Sequence, residues 1–251
     1  MLIKREEIES FLRRRAECKR FWKRLGGAPP LAGKTVLDVG CGRGALCVEM
    51  GLAGARKVVG LDISSELVEW ARQNVRLNHT DLAGVLEFVD CELSAYPRTR
   101  FDYVVSKDTF EHVIGLDDLL KEIKLRLHPE GTVFAGFGPL WNSPFGDHGR
   151  AQLRLPWAHV VLSESAIMKR LQSRGRDAHS LADLGLNGMS FSEYIGAFRR
   201  AGLSPVQITI NAGDHPVYKL ASVLRTIPPL REYFTFNLYC AFRPFESCEQ
   251  A

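Results

Sequence analysis

A chain of 251 residues with 45% hydrophobic and 25% charged content has the make-up of a soluble globular protein, long enough for one large α/β domain or two small ones. No apolar run approaches the roughly 18 residues of a membrane span. The opening Met-Leu-Ile-Lys-Arg-Glu-Glu lacks the apolar core of a secretion signal. The formal charge of +4 is concentrated: residues 1–25 hold nine Lys or Arg against four Glu, a net of +5, and the remainder sums to −1. That argues against the spread basic footprint of a nucleic-acid binder.

The first 25 residues read as one amphipathic helix, with Ile8, Phe11, Leu12, Phe21, Trp22 and Leu25 on a stripe. Gly26, Gly27, Pro29 and Pro30 stop it, giving an N-terminal helical segment over residues 1–30. Its expected role is docking on the domain that begins at Gly33, with a lid over a ligand as a second role. From Gly33 strand and helix alternate. The expected strands are Thr35–Val39, Lys57–Leu61, Leu86–Val89, Tyr103–Ser106 and Thr132–Phe137. The clearest helix between them is Ser64–Asn78, with Ser64 as its cap. Such alternation predicts parallel strands with right-handed crossovers, a doubly wound α/β sheet. Asp38, Asp62, Asp90 and Lys107 fall at the carboxyl ends of strands, where such sheets bind ligands.

The alternation breaks after Gly138. Residues 139–190, rich in Pro, Gly, Trp and His, read as a functional insertion with one helix near Ser163–Leu171. A helix over Phe191–Ala201 and strands over Leu203–Ile210 and Tyr233–Phe242 close the chain, and periodicity does not place Tyr218–Pro229. The six cysteines (Cys18, Cys41, Cys47, Cys91, Cys240, Cys248) show no metal-ligand or disulfide spacing, which points to a reducing cytoplasm.

The most informative stretch is Val36-Leu-Asp-Val-Gly-Cys-Gly-Arg-Gly44, a strand, an acid and a glycine turn before a helix. Small or absent side chains let the backbone pass close beneath a nucleotide. Asp62 ends the next strand twenty positions after Gly42, a spacing that suits a carboxylate on a ribose hydroxyl pair. A nicotinamide dinucleotide site would want Gly-x-Gly-x-x-Gly, and position 45 is Ala.

In order and spacing these segments resemble class I S-adenosylmethionine-dependent methyltransferases, over Gly33–Gly138 by motif and Phe191–Phe242 by layout. The resemblance implies a Rossmann-like fold: a doubly wound, mostly parallel seven-stranded sheet in a single domain, 1–251, with an inserted cap after strand 5. It implies S-adenosyl-L-methionine as cofactor and S-adenosyl-L-homocysteine as product. Asp38, Gly40, Cys41 and Gly42 would meet the methionine end. Asp62 would hold the ribose, Ile63 would lie against adenine, and Asp90 with Cys91 would meet the adenine amino group. Lys107 belongs to Phe101-Asp-Tyr-Val-Val-Ser-Lys-Asp-Thr-Phe-Glu-His-Val113, which resembles the motif beneath the sulfonium. The run Asp108, Glu111, His112 resembles divalent-metal ligands of some O-methyltransferases, but the preferred reading is structural, with no metal.

Methyl transfer needs in-line positioning and water exclusion, plus a base for some acceptors. His148, in an aromatic loop after the fifth strand, is the first candidate base, and His159 the second. Trp141, Phe145 and Trp157 are candidate walls of an apolar acceptor pocket. The expected activity is methylation of a small molecule, a natural-product or secondary-metabolite acceptor, with O favoured over N or C. The alternatives are an RNA methyltransferase using the basic N-terminal helix, and a cofactor-binding partner protein that catalyses nothing. Neither nucleic acid nor membrane is an expected partner, and the oligomeric state is open.

Overall fold

The computed structural model describes residues 4–245. Residues 1–3 and 246–251, including Cys248, lie outside the described residues. Helix α1 (Arg5–Arg24) precedes strand β1 (Thr35–Val39), α2 (Ala45–Leu52), β2 (Lys57–Asp62), α3 (Ser65–Asn78), β3 (Leu86–Asp90), β4 (Phe101–Lys107), α4 (Leu116–Leu125) and β5 (Leu127–Phe137). The chain continues through α5 (Ala158–Val161), α6 (Glu164–Gln172), α7 (Phe191–Arg200), β6 (Leu203–Ile210), α8 (Pro216–Leu224) and β7 (Leu238–Pro244). One seven-stranded sheet runs in the order β3-β2-β1-β4-β5-β7-β6. The pairs from β3 through β5 are parallel, and β7 lies antiparallel to both β5 and β6. This is the doubly wound, mostly parallel arrangement expected. The strand order reverses between β1 and β4, so the loops leaving these two strands diverge and open a crevice at their carboxyl ends.

Both sheet faces are covered, which is why the central strands read as nearly unbroken apolar runs. One core packs α4 and α7 on the sheet through Leu120, Ile123 and Phe198, the last stacked on Phe242 at 4.0 Å. The other gathers α1, α2 and α3 around Val36, Met50, Val58 and Trp70. Helix α1 buries Phe11, Cys18, Phe21 and Trp22, and ion pairs from Arg15 to Glu49 (2.6 Å) and from Glu7 to Arg43 (3.3 Å) fasten it down. The insertion has a small core of its own, made by Ile167, Met168, Leu171, Leu184 and Leu186.

Several strand ends differ from the sequence reading, β5 beginning at Leu127 rather than Thr132 and β4 at Phe101 rather than Tyr103, and two segments near the end of the chain differ more. The last strand starts at Leu238 rather than Tyr233, because asparagine side chains take over the backbone bonding before it. Asn211 receives the Phe236 N–H (2.7 Å) and donates to Phe234 O (2.8 Å), and Asn237 receives the Ala212 N–H (2.8 Å). The stretch that periodicity left unplaced holds α8, capped by His215 and started by Pro216.

Phe21 carries the docking of α1: it is 2% exposed and packs edge-on against Trp22 with ring centroids 4.8 Å apart. Phe21→Ala is expected to lower the unfolding free energy by about 3–5 kcal/mol, read from urea titrations. A loss below ~1 kcal/mol would show that α1 is loosely attached.

Candidate active site

The glycine turn comes first. Gly40 has φ +77° and Gly42 φ +53°, left-handed values that cost a side-chain-bearing residue strain. A Cβ on Gly40 would lie 2.3 Å from the Thr109 hydroxyl, so the loops after β1 and β4 meet only because that atom is missing. A Cβ on Gly42 would meet nothing within 4 Å, and Gly42 lines a cavity of about 780 Å³, within the size range of small-molecule sites. Asp62 locks the turn from β2. Its carboxylate accepts the Gly42 N–H and the Ser64 N–H, each at 2.9 Å. Ile63, 78% exposed, presents its side chain to the same cavity.

The cavity gathers most residues expected from sequence: Asp38, Gly40, Cys41, Gly42, Asp62, Ile63, Cys91 and Lys107 all line it. Asp90 does not. Its carboxylate turns outward to Arg72 at 2.9 Å, and hydrogen bonds from Ser65 and then Arg72 hold its carboxyl below the usual range. The wall beyond β3 is instead formed by Cys91, Glu92, Leu93 and Ser94. Arg126, fully buried, props this wall by donating to Leu93 O (2.6 Å) and Tyr96 O (2.7 Å). Asp90 thus stands off the cavity, and its neighbours from Cys91 to Ser94 line it. Glu92, next in sequence to Cys91, was the available signal.

The floor is charged. Burial pushes the Asp38 carboxyl up to about 7, although Cys47 Sγ donates to it at 3.2 Å. Burial alone would lower Lys107, but Asp108 beside it and Glu17 at 3.7 Å hold its ammonium above the ordinary lysine range. Glu17 belongs to α1, and Arg14 and Cys18 of the same helix line the cavity. Helix α1 thus docks on the sheet and roofs the site as well.

The catalytic candidates are redistributed. His159 is 2% exposed, with Nε2 2.6 Å from Trp141 O and Nδ1 3.9 Å from Asp147. It is a packed histidine of the insertion and does not line the cavity. His148 does not line it either: its Nε2 lies 2.9 Å from Pro139 O, and its ring packs edge-on against His112 at 5.1 Å. His112 is the histidine on the cavity wall. Its Nδ1 sits 2.7 Å from Gly185 O, and a carbonyl only accepts, so Nδ1 carries the proton and Nε2 the lone pair. Burial holds the His112 pKa below the ordinary histidine value, so the ring is neutral at neutral pH. Trp141, Phe145 and Trp157 are absent from the wall; Trp141 packs on His159, and Trp157 donates to Tyr233 O.

Asp108, Glu111 and His112 do not gather on one face. Asp108 takes φ +54°, the turn Phe110–His112 is 3-10, and Glu111 points inward. Among the described residues no group of three or more acidic, His or Cys side chains is placed to hold a metal ion.

Comparisons with known proteins fit this geometry. A family model described as "Methyltransferase domain" matches residues 11–208, well over half of the chain. An O-methyltransferase of ubiquinone biosynthesis from Bradyrhizobium diazoefficiens is 32% identical over 123 residues, 48% of this chain and 46% of that protein. The 27-O-demethylrifamycin SV methyltransferase of Amycolatopsis mediterranei is 28% identical over 187 residues, 74% of this chain and 60% of that protein. The chain thus spans about half the length of the curated relatives it matches. A solved geranyl diphosphate C-methyltransferase of Streptomyces coelicolor shares the fold at TM-score 0.60 and 18% identity, over 96% of this chain and 83% of that one. The chain belongs to the methyltransferase-domain family. The residues present suit S-adenosyl-L-methionine: an open glycine cradle, a carboxylate at the end of β2 beside an exposed Ile63, and both signs of charge at the floor.

Glu111 gives a pH test of this site. Burial pushes its carboxyl up to about 8; Oε1 accepts the Gly138 N–H at 3.3 Å and Oε2 has no partner. A folded value above the unfolded 4.5 means the native state holds this proton more tightly. Its stabilisation is complete below the unfolded value and is lost as pH rises through the folded one. Glu111→Gln keeps an oxygen for Gly138 and removes the ionisation. The variant is expected to gain on the wild type with rising pH, by on the order of 1–4 kcal/mol at pH 8, in urea unfolding series. A pH-independent difference would place the titration elsewhere.

Proposed function

We propose that this protein methylates a hydroxyl of a small molecule with S-adenosyl-L-methionine, and that His112 is the base. The observation that carries the reading is the fixed tautomer of His112 on the cavity wall, with its free Nε2 beside the loops that hold the cofactor residues. The relatives' names support an oxygen acceptor: one is an O-methyltransferase of ubiquinone biosynthesis and the other acts on 27-O-demethylrifamycin SV.

The cofactor supplies a methyl group already activated by the sulfonium charge. Asp38 and Lys107 would hold the ammonium and carboxylate of its methionine end, and Asp62 its ribose. The loop after β4 orients the acceptor, and α1 excludes water from the floor. With the methyl group supplied by the bound cofactor, His112 Nε2 would accept the proton that the acceptor hydroxyl gives up. The imidazolium then returns that proton to solvent. His148, packed against the His112 ring, limits its rotation.

Asp62→Ala is expected to weaken binding of S-adenosylhomocysteine by about 1–3 kcal/mol in calorimetry, with the fold intact by circular dichroism. Unchanged affinity would remove Asp62 from the ribose site. With labelled cofactor and a panel of phenols, hydroxy acids and polyols, the wild type is expected to yield a methyl ether. On that acceptor His112→Gln should lower kcat by roughly 10²–10⁴-fold while cofactor affinity holds. It should also abolish the acid limb of the pH–rate profile. Retained kcat with the same limb would assign the base elsewhere, and label transfer only to nitrogen or carbon would overturn the oxygen assignment.

A further inference from the structure

Helix α8 faces the wrong way for a helix packed on a soluble protein. Ala221 is its one buried residue, and Tyr218 and Arg225, half-buried, complete the inner face. Val217, Leu220 and Val223 follow one another at spacings of three, which groups them on one side, and all are exposed: Leu220 at 58% and Val223 at 66%. Ile227, just past the helix, is exposed too. An ordinary surface helix buries such a stripe, and soluble monomers rarely leave a contiguous apolar patch on the outside.

A second exposed apolar segment lies in the insertion, joined to α8 beneath the surface. A chain of ring contacts, Tyr218–Phe236 (6.0 Å), Phe236–Phe234 (6.3 Å) and Phe234–Trp157 (5.3 Å), ties α8 to the segment carrying exposed Leu155 and Val161, the latter 84% exposed. Trp157 also donates to Tyr233 O at 3.3 Å. The exposed cations here are Lys219, Arg231 and Arg154. No Asp or Glu occurs in residues 215–231 or 148–162. Of the flanking acids, Glu232 bonds the Ser192 hydroxyl and Asp147 is buried, while Asp214 before the helix and Glu164 beyond Val161 are exposed.

We propose that α8 and the 155–161 segment form a docking surface for an anionic lipid bilayer, with α8 lying in the headgroup layer. Valine and leucine side chains on the outward ridge of a helix whose one charged residue is Lys219, followed by the exposed cation Arg231, match an interfacial helix on a negatively charged leaflet. A second copy is a poorer occupant. A two-fold interface sets the same patch against itself, and between His215 and Arg231 that patch offers cations and no carboxylate to pair them. The docking is peripheral, as none of the described helices is long and apolar enough to cross a membrane. It stands independently of which acceptor is methylated.

The test is co-sedimentation of the full chain with vesicles of phosphatidylcholine alone and of phosphatidylcholine mixed with phosphatidylglycerol. The expected result is binding to the mixed vesicles, at least tenfold weaker to the neutral ones, and release as salt rises from about 0.1 to 0.5 M. Leu220→Glu with Val223→Glu should abolish binding while S-adenosylhomocysteine affinity and melting temperature stay as in the wild type. Lys219→Glu with Arg231→Glu, which leaves the ridge intact, should weaken binding at least tenfold and remove its salt sensitivity. Equal binding of wild type and both variants, or no binding to either vesicle, would overturn the proposal. So would self-association of the wild type that the Leu220/Val223 variant loses, because that assigns the patch to a second copy.

Discussion

The site depends on one missing atom. Gly40 lets the exit of β1 lie directly against Thr109 at the exit of β4, where a Cβ would come within 2.3 Å of the Thr109 hydroxyl. Any larger residue would push the two loops apart. The loop after β1 would then lose its place under the Asp62 carboxylate, which bonds the Gly42 N–H two residues on. The loop after β4 would shift the turn that carries His112. The crevice exists because the sheet order reverses between β1 and β4, but its width is set by this contact.

Charge inside the crevice is arranged by burial as much as by pairing. Asp38 and Glu111 are both buried carboxyls held above their ordinary range, yet they face different ends of the problem. Asp38 lines the cavity, where a cationic group could enter and ionise it. Glu111 faces the protein side, bonded to the Gly138 amide, and has no such visitor. A buried unpaired carboxyl costs stability unless it stays protonated. Lys107, also partly buried, keeps its charge because Asp108 and Glu17 stand beside it. Glu17 comes from α1, so the roof contributes to the charge balance of the floor.

The parts of this architecture that were legible in the sequence are those fixed by local chemistry. β-branched runs ending in acids marked β1 and β2, and the glycine turn marked the loop between β1 and α2. The missed parts depend on long-range pairing. Asp90 ends β3 as expected, but Arg72, eighteen residues earlier on α3, captures its carboxylate. Tyr233–Asn237 has the aromatic and β-branched composition of a strand, yet Asn211 and Asn237 satisfy its backbone through side chains. Helix α8 has start signals in His215 and Pro216, but nothing local shows that Val217, Leu220 and Val223 face outward around one buried alanine.

The histidines show the same logic at the level of catalysis. Sequence position favoured His148 and His159, since both lie in the insertion after β5. Yet the insertion packs around its own core and contributes no residue to the cavity wall. Its hold on the site is indirect: the Gly185 carbonyl fixes the tautomer of His112, and the His148 ring limits that ring's rotation. Arg150 donates to the same Gly185 carbonyl at 2.7 Å, tying it back to the insertion's own loop. Displacing the Gly185 carbonyl would leave the two ring nitrogens of His112 free to exchange their proton. The insertion therefore acts as a clamp on a cavity-wall histidine carried by another loop, and a sequence in which His112 and Gly185 stand seventy-three positions apart gives no local sign of that pairing.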